Sequence, residues 1–451
     1  MVRNVRPQQA PEGYKKSGVG IIPEDWDVLQ LHTIAILERG KFSARPRNDP
    51  KFFGGNVPFI QTGDIARYNG VNVHYDRTLN EEGVKISKVF PKDTLFFTIA
   101  ANIGDVAIVP FSVACPDSLI AIRNNPEINK FWLLQTLKYR KGEFESLATH
   151  NAQLNINLEK LNPYQLAVPP KTEQTAIANA LSDVDALITS LEILIAKKRD
   201  IKTAAMQQLL TGKKRLPPFC TGEHLSDDDT DVKEQIDGCR PGYKKTDLGE
   251  IPEDWDVVEL KDIAELTSSK RIFEDDYVPN GIPFYRGQEI SQMLKGERPE
   301  VKCYISESKY SILKNKYGAP EKGDILITAV GTLGNSYFVD SELPFYFKDG
   351  NLIWLRKIKD RVNAVYLSKQ LGWLKPKILE GAIGSSQKAL TIEVLNKLQI
   401  PLPPYKEQVV IFDVLSTIDF EIRSLDKRLN KTKEIKYGMM QELLTGRTRL
   451  V

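Results

Sequence analysis

Two stretches of this chain, 229 residues apart, carry nearly the same text. "GYKKSGVGIIPEDWDVLQL" (Gly13 to Leu31) and "GYKKTDLGEIPEDWDVVEL" (Gly242 to Leu260) share 13 of 19 residues without a gap. A second matched pair closes each copy: Val168 to Leu216, from "VPPKTEQ" to "LLTGKKRL", answers Leu402 to Leu450, from "LPPYKEQ" to "LLTGRTRL", at an offset of 234. Between these anchors the likeness thins and the offset drifts. "VPFIQTGDI" (Val57 to Ile65) matches "IPFYRGQEI" (Ile282 to Ile290) at 225, and "LFFTIAANIG" (Leu95 to Gly104) matches "ILITAVGTLG" (Ile325 to Gly334) at 230. Repeated text implies repeated structure, because each copy must bury the same apolar positions. The chain is expected to be one plan built twice, with shared ends and divergent middles. Its 451 residues exceed what one hydrophobic core usually holds and suit two or more domains.

The closing anchors read as long helices. Ile177, Leu181, Val184, Ile188, Leu191 and Ile195 step by four and three, and Ile411, Leu415, Ile418, Ile422, Leu425 and Leu429 repeat the stepping. That is the a/d seam of a coiled coil. Pro169-Pro170 and Pro403-Pro404 mark the starts, since a proline ring disfavours helix in the residue before it. Gly212 and Gly446 in "LLTG" mark the ends as C-caps. Each helix is then about 40 residues, roughly 60 Å at 1.5 Å per residue. So long an apolar stripe finds its economical partner in the other copy, as an antiparallel pair if a pseudo-dyad relates the copies. The middles carry strand–turn–strand text in Asp93 to Pro110 and Gly323 to Asp340, with Gly331 and Gly334 available for unusual backbone angles. Ile128 to Ala148 and Val362 to Ala382 carry helical spacing, and Phe131, Trp132 and Tyr366 are expected in the core. The expected fold class is α+β: two mixed α/β domains in pseudo-two-fold repeat, joined by two long helices forming an antiparallel coiled coil. The expected boundaries are 13–165 and 242–399 for the domains, 166–216 and 400–450 for the helices, and 217–241 for an acidic linker.

What is missing narrows the function. Hydrophobic residues make up 41% and charged residues 27%, ordinary for a globular protein, and no run of 18 apolar residues is present to span a membrane. The polar "MVRNVRPQQAPEGYKK" lacks the apolar stretch of a signal peptide. Cys115, Cys220, Cys239 and Cys303 show no CxxC spacing, which argues against a zinc site or disulfide framework and fits a reducing cytoplasm. His32, His74, His150 and His224 are too scattered to suggest a metal cluster. The net charge of +3 hides a segregation: acid gathers in Ser226 to Asp237, base in Lys197 to Lys202, Lys213 to Arg215 and Phe42 to Arg47. Neither G-x-G-x-x-G nor a P-loop is present. The strings nearest an adenine-methyltransferase loop, "NPYQ" (Asn162 to Gln165) and "LPPY" (Leu402 to Tyr405), lack the second proline and the leading amide or carboxylate, respectively. Pro116-Asp117 is followed by no D/E-x-K before the first long helix, as a nuclease would want. The chain reads as non-catalytic.

The order "G-x-IPEDW", variable α/β part, "PP-x-x-EQ" (Pro169 to Gln174; Pro403 to Gln408) and "LLTG", written twice between Gly13 and Leu450, resembles the DNA-specificity subunit of type I restriction-modification enzymes. The resemblance implies that each variable domain is a target-recognition domain for one half of a split double-stranded DNA sequence. It implies that the helix pair sets the spacing and docks two modification subunits, joined by restriction subunits. S-adenosylmethionine, ATP and Mg then belong to those partners, and this chain binds no cofactor. Half-sites read about a pseudo-dyad should lie about one helical turn apart, roughly 34 Å.

Base readers are expected to be polar or basic side chains on loops. In the first domain the candidates are Lys41, Ser43, Arg45 and Arg47 in the turn-rich "RGKFSARPRNDP", then Gln61, Thr62 and Asp64, then Thr98 and Asn102 around the strand–turn–strand. In the second they are Ser269, Lys270 and Arg271 in "TSSKRIFEDD", then Arg286, Gln288, Thr328 and Thr332. "THNAQLN" and "GSSQKAL", ahead of the two helical segments, add His150, Asn151, Gln153, Ser386, Gln387 and Lys388. The two sets differ, so the target is expected to be asymmetric. Trp26 and Trp255 are expected as packing anchors, with Pro23 and Pro252 setting the turn into each domain. Three rivals remain: a stand-alone two-domain DNA-binding regulator that needs no methyltransferase, a fused enzyme whose motifs are missing, and a scaffold. The scaffold leaves unexplained why basic loops coincide with the divergent middles.

Overall fold

The computed structural model describes residues 10–44, 46–68, 73–150, 154–219, 242–294, 296–382 and 389–450. The acidic run from Ser226 to Asp237 lies outside the described residues. Two compact units form, residues 1–196 with 424–451 and residues 197–423. The long helices are α1 (Lys171–Leu210) and α2 (Tyr405–Leu443), of 40 and 39 residues. Each begins on the residue after its Pro-Pro pair and ends before a glycine at positive φ, 70° at Gly212 and 71° at Gly446. Each unit contains the first part of one helix and the last part of the other, so each can be taken separately.

In both units the main sheet has the same plan. The first joins β1 (Ala35–Arg39), β2 (Thr94–Thr98), β3 (Val106–Val109) and β4 (Leu119–Asn124) in the order β1-β4-β2-β3, all antiparallel. The second joins β5 (Glu265–Thr267), β6 (Ile325–Thr328), β7 (Ser336–Phe338) and β8 (Leu352–Arg356) in the order β5-β8-β6-β7. These strands read as unbroken apolar runs because both faces are covered. Leu95 and Phe97 face the core that holds Trp26, Trp132 and the helix residues Ile177 and Leu181, while Phe96 between them faces a second cluster. Ile325 and Ile327 divide from Leu326 in the same way.

A smaller sheet covers the far face. Its common part is three strands: Arg77–Leu79, Phe53–Phe59 and Val113–Ala114 in the first unit, Tyr304–Ile305, Ile282–Tyr285 and Tyr346–Phe347 in the second. The fourth strand differs. Val89–Phe90 joins beside Val113–Ala114 in the first unit, and Tyr277–Val278 joins at the opposite edge in the second. Divergence between the copies is therefore visible in topology as well as in sequence.

The shared text builds the frame. Asp27–Gln30 pairs antiparallel with Gln165–Val168, and Asp256–Glu259 with Gln399–Leu402, so the strand after each "IPEDW" lies against the strand leading into the long helix. Trp26 and Trp255 are buried as expected, at 0% and 1% exposure. Each indole also donates to a carboxylate: Trp26 Nε1 to Glu173 Oε2 at 2.9 Å, Trp255 Nε1 to Glu407 Oε2 at 3.0 Å. Glu173 is the Glu of "PP-x-x-EQ". Its second donor comes from the other copy's end, with Arg449 Nε and Nη2 reaching Glu173 at 2.7 and 2.8 Å while the guanidinium also grips Asp25 at 2.9 and 2.7 Å. The second unit repeats this with Arg215, Glu407 and Asp254. The helix ends close over the same ring. A Cβ on Gly446 would stand 2.5 Å from Pro23 Cδ, and one on Gly212 the same distance from Pro252 Cδ. These glycines are thus demanded by packing as well as by φ. The neighbouring glutamines, Gln174 and Gln408, tie the frame to the domain by accepting from the amides of Asn129 and Asn363, both at 2.8 Å.

The helices run antiparallel within each unit. Glu192 and Asp185 of α1 meet Lys433 and Lys436 of α2, each at 2.7 Å. In the second unit Lys198 and Lys202 meet Glu421 and Asp419, each at 2.6 Å. The heptad positions are buried or half-buried, Ile177 and Leu181 at 0%, Ile411 and Leu415 at 1%. One expectation fails. Phe131 is 48% exposed, whereas Trp132 and Tyr366 are buried. The helix Lys130–Tyr139 is buried on every side from Trp132 to Leu137, and Phe131 lies one residue before that stretch, in the first turn.

Removing one partner of a buried ion pair leaves the other charge stranded, at about 3–5 kcal/mol. Arg449→Ala is expected to destabilise the first unit by that order, and Arg215→Ala the second, read as a lower urea midpoint of unfolding. Trp26→Phe, which deletes one hydrogen bond to the same carboxylate, should cost roughly 1–3 kcal/mol. A loss below about 1 kcal/mol for Arg449→Ala would show that Glu173 is satisfied without it.

Candidate nucleic-acid interface

Several of the sequence-derived candidates gather at one end of each main sheet. In the first unit the turn after β2 takes its backbone bonds from two other segments: the Ile99 amide donates to Ser118 O and the Ile156 amide to Ile99 O, both at 3.0 Å, and Ala100 bridges Asn155. In the second unit the Ala329 amide donates to Asn351 O at 2.8 Å, the Leu390 amide donates to Ala329 O at 3.0 Å, and Val330 bridges Ala389. The strand–turn–strand, the turn before β4 or β8, and the segment before the long helix therefore meet. Arg47, Gln61 and Thr62 join them in the first unit, lining a cleft of about 260 Å³ with Phe42, Phe59, Gly63, Pro116 and Ser118. Ser269 lines one of about 290 Å³ in the second, with Asp349, Gly350 and Ala329.

The candidates differ in what they present. Lys41, Ser43, Gln61 and Asn102 are exposed in the first unit, and Lys270, Gln288 and Thr332 in the second. Thr62 is half-buried at the start of a short helix, Thr62–Ala66. Ser43 Oγ donates to Ile86 O at 3.3 Å, and Lys270 Nζ sits 4.9 Å from the Tyr317 ring centre. The two loop arginines are both held. Arg47 Nη2 bonds Asp117 at 2.9 Å, and Arg271 Nε bonds Asp349 at 3.0 Å, each acid lying in the turn before the sheet's central strand. Arg45, Asn151, Gln153, Ser386, Gln387 and Lys388 lie outside the described residues. His150 is placed only by its backbone, paired with Leu154 in a two-stranded hairpin.

Four candidates turn inward, and the structure gives them other work. Thr98 and Thr328 are at 0% exposure. Thr98 Oγ1 donates to Asn102 O and accepts from the Asp105 amide at 2.9 Å; Thr328 Oγ1 donates to Thr332 O and accepts from the Asn335 amide at 2.9 Å. They tie the turn that Asn102 and Thr332 crown. Ser269, 8% exposed, donates to Phe347 O at 2.6 Å. Asp64, 6% exposed, accepts from the Gln61 amide at 2.8 Å and from Arg67 Nη2 at 2.6 Å. Behind the turns, Lys141 holds Asp105 and Lys375 holds Asn335, each at 2.6 Å.

Arg67 was not among the sequence candidates, nor was Glu289, the second unit's counterpart of Asp64. Glu289 accepts from the Arg286 amide at 2.9 Å and from Arg286 Nη2 at 2.7 Å. Burial works to raise its pKa but is outweighed by the bonds from the Arg286 guanidinium and from backbone amides, which hold the carboxyl below its usual range. The signal that could have found both pairs is an acid in a short helix and an arginine three residues away, just past one of its ends. Among the described residues, no group of three or more His, Cys, Asp or Glu side chains could hold a metal ion, and no helix is long and apolar enough to cross a membrane.

Comparison with known proteins gives the architecture its place. The model of the type I restriction modification DNA specificity domain matches residues 23–198 and again 252–434. A Methanocaldococcus jannaschii protein described as a putative type I restriction enzyme specificity subunit is 29% identical over 449 residues, 97% of either chain. A Haemophilus influenzae protein described in like terms is 33% identical over 206 residues, 45% of this chain and 51% of its own. Among solved structures, the S subunit of a type I restriction-modification system from M. genitalium covers 93% of this chain and 96% of its own at a TM-score of 0.55 and 16% identity, a likeness of fold. A second, from a study of type I system assembly, covers 95% and 99% at a TM-score of 0.53 and 15% identity. The two matched segments take in most of the chain, and it belongs to the family of type I restriction-modification DNA-specificity subunits. These are non-catalytic, two-domain DNA-recognition subunits.

The inward threonines separate stability from recognition. Thr98→Val and Thr328→Val strand a buried amide and should each cost about 1–3 kcal/mol of stability without changing the DNA sequence bound. Asn102→Ala and Thr332→Ala should leave stability within about 0.5 kcal/mol and weaken DNA binding. Thermal unfolding and DNA binding measured on all four variants check the division.

Proposed function

We propose that each domain reads one half of a bipartite, asymmetric double-stranded DNA target, and that the helix pair sets the spacing and docks two N6-adenine methyltransferase subunits. Restriction subunits complete the assembly, with S-adenosylmethionine, ATP and Mg held by the partners. The supporting observation is the gathering of three loop segments at the end of each main sheet, at the positions where the two copies disagree. A frame built twice from the same text carries two surfaces of different chemistry. Lys41, Ser43, Gln61 and Asn102 face out from one, and Lys270, Gln288 and Thr332 from the other. In this reading, the exposed candidates of the two sets read bases, and lysines nearby neutralise phosphates.

Mapping methylated adenines in DNA exposed to the assembled complex tests the reading. The expected result is a split motif whose halves differ; a palindromic motif would refute the asymmetry. Co-purification with a methyltransferase separates this reading from that of a stand-alone regulator. Adding one heptad to both helices, between Leu181 and Ile195 and at the facing level of α2, lengthens the pair by roughly 10 Å. The gap between half-sites should then grow by up to about three base pairs at 3.4 Å each, with both halves unchanged. An unaltered gap would remove the helices' role as ruler.

A further inference from the structure

Each unit holds one arginine in the same way but spells it differently. In the first unit the carboxylate is Asp64 and the arginine follows it by three residues; in the second it is Glu289 and the arginine precedes it by three. Both carboxylates are nearly out of water, at 8% and 1% side-chain exposure, and both arginines reach the surface, at 58% and 31%. One carboxylate oxygen takes the amide that opens the short helix, Gln61 N or Arg286 N, and the other takes the guanidinium Nη2. The two carboxylates stand at equivalent places, each in the short helix that follows the equivalent strands Phe53–Phe59 and Ile282–Tyr285. Arg67 Nη2 also lies 3.5 Å from Asp76, just before the strand Arg77–Leu79. The segment around each pair borders the gathered loops. Gly63, whose carbonyl accepts from Arg67 Nε at 3.3 Å, lines the cleft with Arg47 and Gln61, and a Cβ on Gly287 would touch Thr328 and Val330.

Two different sequence orders that bring one arginine to the equivalent carboxylate point to a requirement at the surface rather than a copied detail. A helix start needs only an acceptor for its free amide, which Asp64 or Glu289 supplies with a single oxygen. The second oxygen aims the arginine. Pairing with a buried carboxylate cancels the arginine's net charge, so its pull on a phosphate is weak. The pairing keeps the N–H donors and fixes their direction. Among the described residues, Nη1 of neither arginine has a hydrogen-bond partner. Nη1 with the second hydrogen of Nη2 makes an aimed fork, open in Arg286 and opened in Arg67 by giving up the long 3.5 Å bond to Asp76. It fits two acceptors at fixed spacing, and in the major groove guanine offers them as O6 and N7.

Resting on the reading that these domains recognise DNA, we propose that Arg67 and Arg286 each read one guanine, one in each half-site, with Asp64 and Glu289 as the residues that position them. The test uses the wild-type chain assembled with its methyltransferase partners. DNA carrying 7-deazaguanine, which lacks N7, is substituted at one guanine of the mapped motif at a time. One position in each half-site should lose binding by about tenfold, the scale of one bidentate base contact. Arg286→Lys keeps the charge and loses the fork; it should abolish the preference at that position in the second domain's half-site and leave the other half intact. Arg67→Lys should do the reverse. Asp64→Asn should loosen the same base preference as Arg67→Lys, an outcome that a mere helix cap would not give. A half-site without guanine, an absence of any 7-deazaguanine effect, or lysine variants that weaken all sequences equally would overturn the proposal. A wild-type complex without sequence preference would overturn the underlying reading itself, and so is distinguishable.

Discussion

Two carboxylates, Glu173 and Glu407, sit at 0% and 1% exposure, and the frame is arranged around satisfying them. A charge held out of water must be met by donors in good geometry or it destabilises the fold by several kcal/mol. The donors come from far along the chain: Trp26 and Arg449 for Glu173, Trp255 and Arg215 for Glu407. Each arginine is then neutralised further by the acid next to the tryptophan, Asp25 or Asp254. No member of such a set can change alone without stranding another. That constraint accounts for the near-identity of "IPEDW", "PP-x-x-EQ" and the text after "LLTG" in both copies. It also makes the last residues of each copy structural, since Arg449 and Gly446 complete the first unit and Arg215 and Gly212 the second.

The middles are free of that constraint, and they differ in ways local rules permit. Three strands of the small sheet are common to both units, while the fourth joins at opposite edges. The short helix Glu81–Lys85 begins with Glu81 and Glu82, whereas its counterpart Glu307–Tyr317 is longer and carries Lys309, Lys314 and Lys316. The acid–arginine pair survives with its order inverted. What these positions keep is a task, such as capping a helix or aiming a side chain. Several sequences perform each task, so the text can drift while the arrangement persists.

That contrast explains how much could be read from the sequence. The long helices were legible because their evidence is local: a four–three apolar step, a proline pair at one end and a glycine at the other. The strands around Phe96 and Leu326 were legible as apolar runs for the same reason. Partnerships were not. Thr98 and Thr328 look buried from their apolar neighbours, but only the structure shows what their inward hydroxyls hold, the backbone of the turn that follows. Arg47 and Arg271 look like free cations until Asp117 and Asp349, 70 and 78 residues on, are seen to hold them. Trp26 was recognisable as an anchor from its setting, but Glu173 and Arg449, 276 residues apart, could be joined only in three dimensions. Sequence displays residue types and short spacings, and a buried ion pair is a long-range fact.

The pairing of arginines also bears on how such a surface discriminates. Non-specific affinity for DNA grows with the number of phosphates a protein neutralises. Here Arg47, Arg67, Arg271 and Arg286 are each met by a carboxylate, and the whole chain carries a net charge of only +3. In the proposed reading these paired arginines gain little from the DNA backbone, whose phosphates fall to the nearby lysines. Their donors remain, fixed in direction, and a wrong base then leaves a desolvated donor unpaired, which costs more than a lost attraction. A reader built this way gives up affinity for any DNA and keeps the difference between one sequence and another, which is the quantity that specificity measures.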